Sequence, residues 1–165
     1  MTNRVTNIVV AGLGGQGVIK ASDILADVAF RAGLDVKKAE IHGMSQRGGS
    51  VSTDVRFGPR VLSPMVPAHE ADFLVVLAPD QVDNNRHVLK RGGVMVIPSN
   101  IDEAQLTNKK SANVALLGVL SRHLPFTESL WKDALKANLP PHLLDANLQA
   151  FDTGRKAPCC GIVAA

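Results

Sequence analysis

A short glycine-rich segment near the amino terminus has the residue types and spacing of a phosphate-binding loop. Residues 12–17 read Gly-Leu-Gly-Gly-Gln-Gly and satisfy the G-x-G-x-x-G pattern. Glycines permit positive φ angles and let the backbone approach a ligand, and a helix that begins after them directs N–H groups at an anion. We therefore predict that this loop contributes to cofactor binding through Gly12, Gly14, Gly15, Gln16 and Gly17.

The residues of this loop alone leave three interpretations open. In a nicotinamide-dependent enzyme an acidic side chain at the end of the second strand holds the ribose, and Glu40 lies at about that place. A tight turn between a strand and a helix needs such glycines regardless of any ligand. The loop could also hold a phosphate or pyrophosphate of another ligand, or dock on a partner. Gln16 places an amide at the mouth of the cleft, which a plain turn does not require.

A second polar segment, residues 40–50, combines an acid, an imidazole, an amide and a guanidinium with three glycines. Arg47 is suited to bind a carboxylate or phosphate through two hydrogen bonds. His42 could carry a proton or anchor the loop by hydrogen bonding. The candidates for catalysis are His42, Gln46 and Arg47, none firmly assigned, and those for cofactor binding are Glu40, Gly43, Gly48 and Gly49. We predict no metal site.

The apolar pattern predicts the elements that position these two loops. A continuous apolar run at residues 7–11 predicts a strand buried on both faces, and helical spacing from Val18 to Ala32 predicts a helix that ends at Gly33. Val36–Ile41 predicts a second strand. Because a helix joins these two strands, we expect them to be parallel neighbours, with both polar loops side by side at their carboxyl ends.

The rest of the chain completes an α/β pattern. The expected elements are a half-exposed strand at 50–57 that forms a hairpin with Val61-Leu62, a strand at 73–78, a helix from Pro79 to Leu89 that Gly92-Gly93 ends, a strand at 94–97, and helices at 113–123, 128–138 and after Pro140-Pro141. We predict one domain spanning residues 1–165. Its fold class is a three-layer, mostly parallel, doubly wound, Rossmann-like sheet with a central antiparallel excursion and a helical C-terminal cover.

The composition argues against several classes of protein. The chain has too few aromatic residues for a platform that stacks nucleic-acid bases, with five Phe, one Trp and no Tyr. Its net charge of +3 is small, and the basic residues are scattered along the sequence. No apolar run approaches the roughly 18 residues of a membrane span. The only cysteines, Cys159 and Cys160, are adjacent and offer no disulfide framework. We expect a cytoplasmic protein that binds neither nucleic acid nor membrane.

The two loops, in this order and at this separation, resemble the gamma-type subunit of the 2-oxoacid:ferredoxin oxidoreductases, and the indolepyruvate branch is the most similar. The matching residues, which extend over nearly the whole chain, are Gly12–Gly17, Glu40, His42–Ser50, Arg56-Phe57-Gly58, Ser63-Pro64, Glu70-Ala71-Asp72, Asn113, Leu117-Gly118, Asn147, Ala150-Phe151 and Gly154.

This resemblance implies an oxidative decarboxylation. A 2-oxoacid, with indolepyruvate or another arylpyruvate favoured, and coenzyme A give acyl-CoA, CO2 and reduced ferredoxin, with thiamine diphosphate, Mg²⁺ and iron–sulfur clusters in the complex. Two cysteines cannot ligate a cluster that needs about four, so thiamine-binding and iron–sulfur subunits are implied partners and the chain alone would be inactive. The alternative functions are a nicotinamide-dependent oxidoreductase and a nucleotide-binding regulatory module.

Overall fold

Five strands form one sheet in the computed structural model, which describes residues 4–43 and 48–158 of the chain. The strands are β1 (Thr6–Leu13), β2 (Asp35–His42), β3 (Ser50–Gly58), β4 (Ala71–Val76) and β5 (Leu89–Val96). Their order across the sheet is β2-β3-β1-β4-β5. β3 is antiparallel to both of its neighbours, whereas β1, β4 and β5 are parallel. Four strands therefore run in one direction, which confirms the mostly parallel sheet with an antiparallel excursion.

The expectation that β1 and β2 are neighbours is wrong. β3 lies between them and pairs with β1 from Thr6 opposite Phe57 to Leu13 opposite Ser50. The chain leaves β2 through a short loop that Gly43 N closes by donating to Ser50 O at 2.8 Å. A short loop favours an antiparallel hairpin with the next strand, so β3 occupies the place that a parallel neighbour would have taken.

The expected hairpin between residues 50–57 and Val61-Leu62 is also wrong, since residues 59–70 contain no strand. β3 already has hydrogen-bonded partners on both sides. Its polar face is not half-exposed either, because residues 59–70 cross that face and leave Asp54 only 5% exposed.

Four long helices pack against one face of the sheet. They are α1 (Val18–Arg31), α3 (Ala112–Ser121), α4 (Glu128–Asn138) and α5 (Pro141–Lys156). Thr127 caps α4 by accepting from Leu130 N, and Pro141 stands in the first turn of α5, where its missing N–H has no cost. The expected helical C-terminal cover is confirmed. No helix among the described residues has the length and apolar character needed to cross a bilayer.

The expected helix from Pro79 to Leu89 is broken into pieces. A 3₁₀ turn at Pro79–Gln81, the short helix α2 (Val82–Asn85) and a 3₁₀ turn at Arg86–Val88 take its place, and Leu89 already belongs to β5. The run from Asp80 to Arg86 is almost wholly polar, so it offers no apolar stripe that would hold a longer helix on the sheet. Gly92 and Gly93 do not end a helix but lie within β5, where Gly92 has a φ of 73°.

Small residues allow α3 and α5 to cross with their backbones in contact. A Cβ at Gly118 would overlap Phe151 O, and a Cβ at Gly154 would overlap Ala115 O. These two glycines therefore allow close packing of the two helices.

The two faces of the sheet are covered very differently. On the helical face, alternate residues such as Ile8, Val10 and Val55 enter the large core formed with the four long helices. On the opposite face, Val9, Val76 and Met95 belong to a smaller cluster that Val66, Val82, Val88 and Ile97 cover from short elements and residues 59–70. We call this second side the thin face.

Candidate functional site

The first glycine loop joins the carboxyl end of β1 to α1. Gly15 and Gly17 have φ angles of 91° and 81°, in the left-handed region that favours glycine. Gly17 is constrained twice, because a Cβ there would also overlap the amide of Asn113. Asn113 lies at the start of α3, and its Nδ2 donates to Gly17 O at 3.2 Å. The turn therefore requires glycine for backbone geometry and for contact with α3.

Gln16 contributes to the structure of this loop. Its Oε1 accepts from Leu13 N at 2.8 Å, so the amide oxygen turns back into the loop. Gly12 makes room for it, since a Cβ at Gly12 would lie 2.8 Å from that oxygen. The expectation that Gln16 presents its whole amide at the cleft is therefore wrong, because the amide oxygen is bonded within the loop. The residue still lines the cavity described below.

The two glycine loops lie side by side, as predicted, but for a different reason. Gly14 N donates to Gly49 O at 2.9 Å. Gly48 is also near, since its N lies 3.5 Å from a Cβ built at Gly14. This contact arises because Gly49 leads directly into β3, the antiparallel neighbour of β1. Gln46 and Arg47, together with Met44 and Ser45, lie outside the described residues.

Glu40 and His42 belong to a row of charged side chains on the edge strand β2. Lys38 Nζ donates to Asp23 Oδ1 at 2.5 Å and to Glu40 Oε1 at 2.7 Å. His42 Nε2 lies 3.4 Å from Glu40 Oε2. These contacts bind the end of β2 to α1, which carries Asp23. Glu40 is therefore already paired inside the chain.

Hydrogen bonding sets the charge state of this row. The hydrogen bond from Lys38, followed by that from His42, lowers the pKa of Glu40 below its ordinary value. Burial opposes the charge of Lys38, but its hydrogen bonds to Asp23 and Glu40 outweigh burial and raise its pKa. Both groups stay charged at neutral pH.

The position of Glu40 does not suit a dinucleotide ribose. β3 separates β2 from β1, which places Glu40 two strand spacings, about 10 Å, from Val10 of β1 and farther from the first glycine loop. In a dinucleotide fold these two strands are adjacent, so that the acid and the glycine loop reach one ligand. The arrangement speaks against the nicotinamide interpretation of the sequence.

A cavity of about 470 Å³ opens beside the first glycine loop. Its wall combines the loop backbone with apolar side chains and two lysines. The lining residues are Gly15, Gln16, Gly17, Leu77, Pro98, Ile101, Glu103, Lys109, Lys110, Ala112, Asn113 and Leu116. These come from the ends of β1, β4 and β5, so the cavity lies at the carboxyl edge of the parallel strands, where ligands bind in open α/β sheets.

The electrostatics of this cavity favour an anion. The first hydrogen bond of α1 runs from Ala21 N to Gly17 O, so the preceding N–H groups of the helix have no intrahelical acceptor. The first turn of α1 contains no acidic residue. Lys109 and Lys110 add two positive charges to the lining, against one negative charge from Glu103. The arrangement can hold a phosphate group against an apolar wall.

Sequence reasoning identified three of the twelve residues that line this cavity, Gly15, Gln16 and Gly17. The sequence assigns no role to Lys109 and Lys110, and Asn113 enters only as a residue that matches the family. The available signal was the position of the segment after β5, since any loop that follows a parallel strand reaches the same edge of the sheet. Among the described residues, the cations that line the cavity come from that segment.

Comparison with protein families agrees with the fold. Residues 7–157 match the family model described as pyruvate ferredoxin/flavodoxin oxidoreductase. The indolepyruvate oxidoreductase subunit IorB of Thermococcus kodakarensis is 33% identical over 92% of this chain and 95% of that subunit. The common gamma subunit of the pyruvate/ketoisovalerate oxidoreductases of Thermococcus litoralis is 31% identical over 64% of this chain and 60% of its own length.

Solved structures share the architecture at lower identity. The 2-oxoglutarate:ferredoxin oxidoreductase from Magnetococcus marinus, solved with 2-oxoglutarate, coenzyme A and succinyl-CoA, superposes with a TM-score of 0.80 at 23% identity. The match covers 93% of this chain but only 31% of that longer one. The keto/oxoacid ferredoxin oxidoreductase gamma subunit from Geobacter sulfurreducens gives a TM-score of 0.77 at 23% identity, over 90% of this chain and 95% of its own.

Proposed function

Because the chain belongs to the pyruvate ferredoxin/flavodoxin oxidoreductase family and is a subunit of a 2-oxoacid:ferredoxin oxidoreductase, we propose that it completes the active site of a complex that oxidises an arylpyruvate, with indolepyruvate as the favoured substrate. The 2-oxoacid and coenzyme A are converted to acyl-CoA and CO2, and the two electrons released reduce ferredoxin. In this proposal residues 1–165 act as one gamma-type domain of a cytoplasmic complex.

The contact between Gly14 and Gly49 carries this proposal. At one edge of the sheet it brings the first glycine loop beside Gly48 and Gly49, the residues that follow Gln46 and Arg47 in the sequence. We propose that this edge faces the reaction centre of the companion subunit. There Arg47 would bind a carboxylate or phosphate through two hydrogen bonds, which suits its guanidinium geometry.

The cavity beside the first loop fits part of coenzyme A. The N–H groups at the start of α1 and the ammonium groups of Lys109 and Lys110 would hold phosphate oxygens. Leu77, Ile101 and Leu116 would form an apolar wall against the adenine ring. In this role the chain positions coenzyme A, and its own residues perform no redox step.

The other cofactors require other polypeptides. An iron–sulfur cluster needs about four cysteine ligands, and this sequence has two. We propose that thiamine-binding and iron–sulfur subunits supply thiamine diphosphate with Mg²⁺ and the clusters, which provide decarboxylation and electron transfer. Ferredoxin accepts the electrons through those subunits.

The substrate proposal is supported by the relatives. Indolepyruvate oxidoreductase subunits from four organisms are 32–33% identical to this chain over 90% or more of its length. The 2-oxoglutarate synthase subunit KorC of Methanothermobacter thermautotrophicus is 26% identical over 89%. An arylpyruvate is therefore favoured over 2-oxoglutarate.

Reconstitution with the purified thiamine-binding companion tests the proposal. We expect ferredoxin reduction only when both polypeptides are present, with indolepyruvate as a better substrate than pyruvate or 2-oxoglutarate. Arg47→Ala should lower turnover about tenfold or more while the complex still assembles. The matched control is Arg91→Ala, an exposed arginine on β5 outside the cavity.

Two results would overturn this proposal. Oxidation of a 2-oxoacid by the isolated chain would show that no companion is needed. Unchanged turnover and substrate affinity in Arg47→Ala would remove the second loop from the active site. Tight binding of NADH to the isolated chain would favour the nicotinamide alternative instead.

A further inference from the structure

Asn113 differs in burial from the charged side chains that line the cavity beside the first glycine loop. It is 8% exposed, whereas Glu103, Lys109 and Lys110 are exposed. Asn113 is the second residue of α3, so it lies where that helix begins. A buried amide costs free energy unless its polar atoms are hydrogen bonded. The two bonds that it makes therefore show what this position requires.

Both ends of the Asn113 amide are bonded, and the partners fix its orientation. Oδ1 accepts from Val114 N at 2.9 Å, and Nδ2 donates to Gly17 O at 3.2 Å. Because the first partner is a donor and the second an acceptor, the oxygen and the nitrogen cannot exchange places. A carboxylate could not donate to Gly17, and an alkyl side chain could make neither bond. The position therefore requires a side-chain amide.

The carbonyl of Gly17 is the point at which this amide acts on α1. It also accepts from Ala21 N at 2.9 Å, which is the first hydrogen bond of the helix. Gly17 precedes α1 and has no side chain that could fix the start of the helix. Asn113, 96 positions later in the sequence, supplies that restraint. The start of α1 is thus held against the start of α3.

Other hydrogen bonds restrain the opposite end of the glycine loop. Gln16 Oε1 accepts from Leu13 N, and Gly14 N donates to Gly49 O. These bonds fix the chain as it leaves β1, whereas the bond from Asn113 fixes it as it enters α1. The N–H groups without an intrahelical acceptor come directly after that point, so their direction depends on it.

Packing of the two helices does not by itself explain the amide. Val18 of α1 and Leu116 and Leu117 of α3 already belong to one apolar core. An apolar side chain in place of Asn113 would extend that core without the burial of polar atoms. The amide is better explained by the carbonyl that it holds, and therefore by the geometry of the loop.

We propose that Asn113 is a positioning residue for coenzyme A, which holds the start of α1 so that its free N–H groups meet phosphate oxygens in the cavity. The inference rests on the proposed function and names a residue on which binding at that site depends. Asn113 acts through Gly17, because its oxygen is bonded to Val114 and its nitrogen to Gly17. Donors that are held in place before a ligand arrives bind it more tightly, since less entropy is lost on binding.

Steady-state kinetics of the enzyme reconstituted with its thiamine-binding companion test this inference. We expect Asn113→Ala to raise the KM for coenzyme A about tenfold, while kcat and the KM for the 2-oxoacid change less than about twofold. Asn113→Asp keeps the size of the side chain and the bond to Val114, but it turns an acceptor toward Gly17 O. We expect a rise of about 30-fold, because the carboxylate also repels the phosphates. This variant decides the test if Asn113→Ala does not fold.

The matched control is Asn147→Ala. Asn147 is 6% exposed, and its Nδ2 also donates to a backbone carbonyl, Leu143 O, at 2.7 Å. It belongs to α5 and is not among the residues that line the cavity. Because each alanine variant loses a buried hydrogen bond, we expect both melting temperatures to fall by similar amounts. Only Asn113→Ala should change the KM for coenzyme A.

A KM for coenzyme A within twofold of wild type in both Asn113 variants would overturn the inference. Equal rises in the enzymes with Asn113→Ala and Asn147→Ala would also overturn it, since general loosening of the helices would then suffice. A fall in kcat with a rise in both KM values would do the same, because a merely structural role predicts that pattern.

The outcome for the proposed function can be distinguished from the outcome for Asn113. If a change of both Lys109 and Lys110 to Gln raises the KM and neither Asn113 variant does, the cavity binds coenzyme A without help from Asn113. The inference then fails and the proposed function stands. A wild-type complex that does not use coenzyme A would instead count against the proposed function.

Discussion

The first glycine loop and the polar segment at the end of β2 have similar residue types but occupy different places in the fold. Both follow strands that run in the same direction, and both combine glycines with polar side chains. The first loop follows the central strand β1, where Gly17 contacts Asn113 and the loop lines one cavity together with the segment after β5. The second follows the edge strand, where Glu40 and His42 contact each other and Lys38.

This difference shows that position in the sheet decides what such residues can do. Near the cavity, backbone N–H groups remain available for an anion and two lysines provide charge. At the edge, the carboxylate of Glu40 is neutralised by a neighbour within the chain. This contrast supports the proposal that the first loop binds a ligand and that the second faces a partner.

Substitution of Gly17 should have the largest effect on the first loop. Gly17→Ala places a Cβ at a φ of 81° and against Asn113. The left-handed conformation costs roughly 1–2 kcal/mol and the added overlap about as much again, so we expect a loss of about 2–4 kcal/mol in the free energy of unfolding. Urea denaturation measures this change.

Gly15→Ala is the matched control for that prediction. Gly15 has a similar φ of 91°, but no atom lies within 4 Å of a Cβ built there. Only the conformational cost should remain, about 1–2 kcal/mol. Equal losses in the two variants would mean that the contact between the loop and α3 contributes nothing.

The lysines of the cavity should have the next largest effect. With both Lys109 and Lys110 changed to Gln, we expect the KM for coenzyme A in the reconstituted enzyme to rise about tenfold, while kcat changes little. Loss of two charges near the phosphates weakens ground-state and transition-state binding equally. The control Lys136→Gln changes an exposed lysine of α4 outside the cavity. An unchanged KM in the double variant would exclude phosphate binding at this end of the cavity.

Much of the fold could be predicted because its signals are local. The apolar run of β1, the glycines after it and the helical spacing of α1 identified the first strand–loop–helix unit, and Thr127 and Pro141 marked the starts of α4 and α5. The insertion of β3 between β1 and β2 could not be predicted. Strand order depends on contacts between distant segments, and residues 36–41 are compatible with either a parallel or an antiparallel neighbour.

The candidate site shows the same limit. The residues of the first loop were found from their spacing, and the contact between the two loops was expected. Lys109 and Lys110 were missed because no local pattern distinguishes a lysine beside a cavity from one on an open surface. Their proximity to Gly17 depends on where β5 ends and how α3 packs, which are properties of the tertiary structure.

Substitution of Glu40 should have the smallest effect and sharpens the contrast between the two loops. Glu40→Gln removes a carboxylate that pairs with Lys38 and His42 on the partly exposed edge of the sheet. Such pairs contribute little to stability, so we expect the melting temperature at neutral pH to fall by no more than about 3 °C. In the reconstituted enzyme the KM for coenzyme A should stay unchanged, in contrast to the lysine variants. A large rise in KM would place Glu40 at the ligand despite the intervening strand.

The pH dependence of the same variant tests the pairing itself. The pKa of Glu40 is lower in the folded chain than its ordinary value of 4.5, so the carboxylate binds fewer protons when folded than when unfolded. Its contribution to stability is therefore present above that value and is lost as the pH falls through the folded pKa. The difference in melting temperature between wild type and Glu40→Gln should accordingly shrink at acidic pH, because a protonated glutamate resembles glutamine. A difference that stays constant from neutral pH to pH ~3 would mean that the pairing of the Glu40 carboxylate with Lys38 and His42 does not contribute to stability.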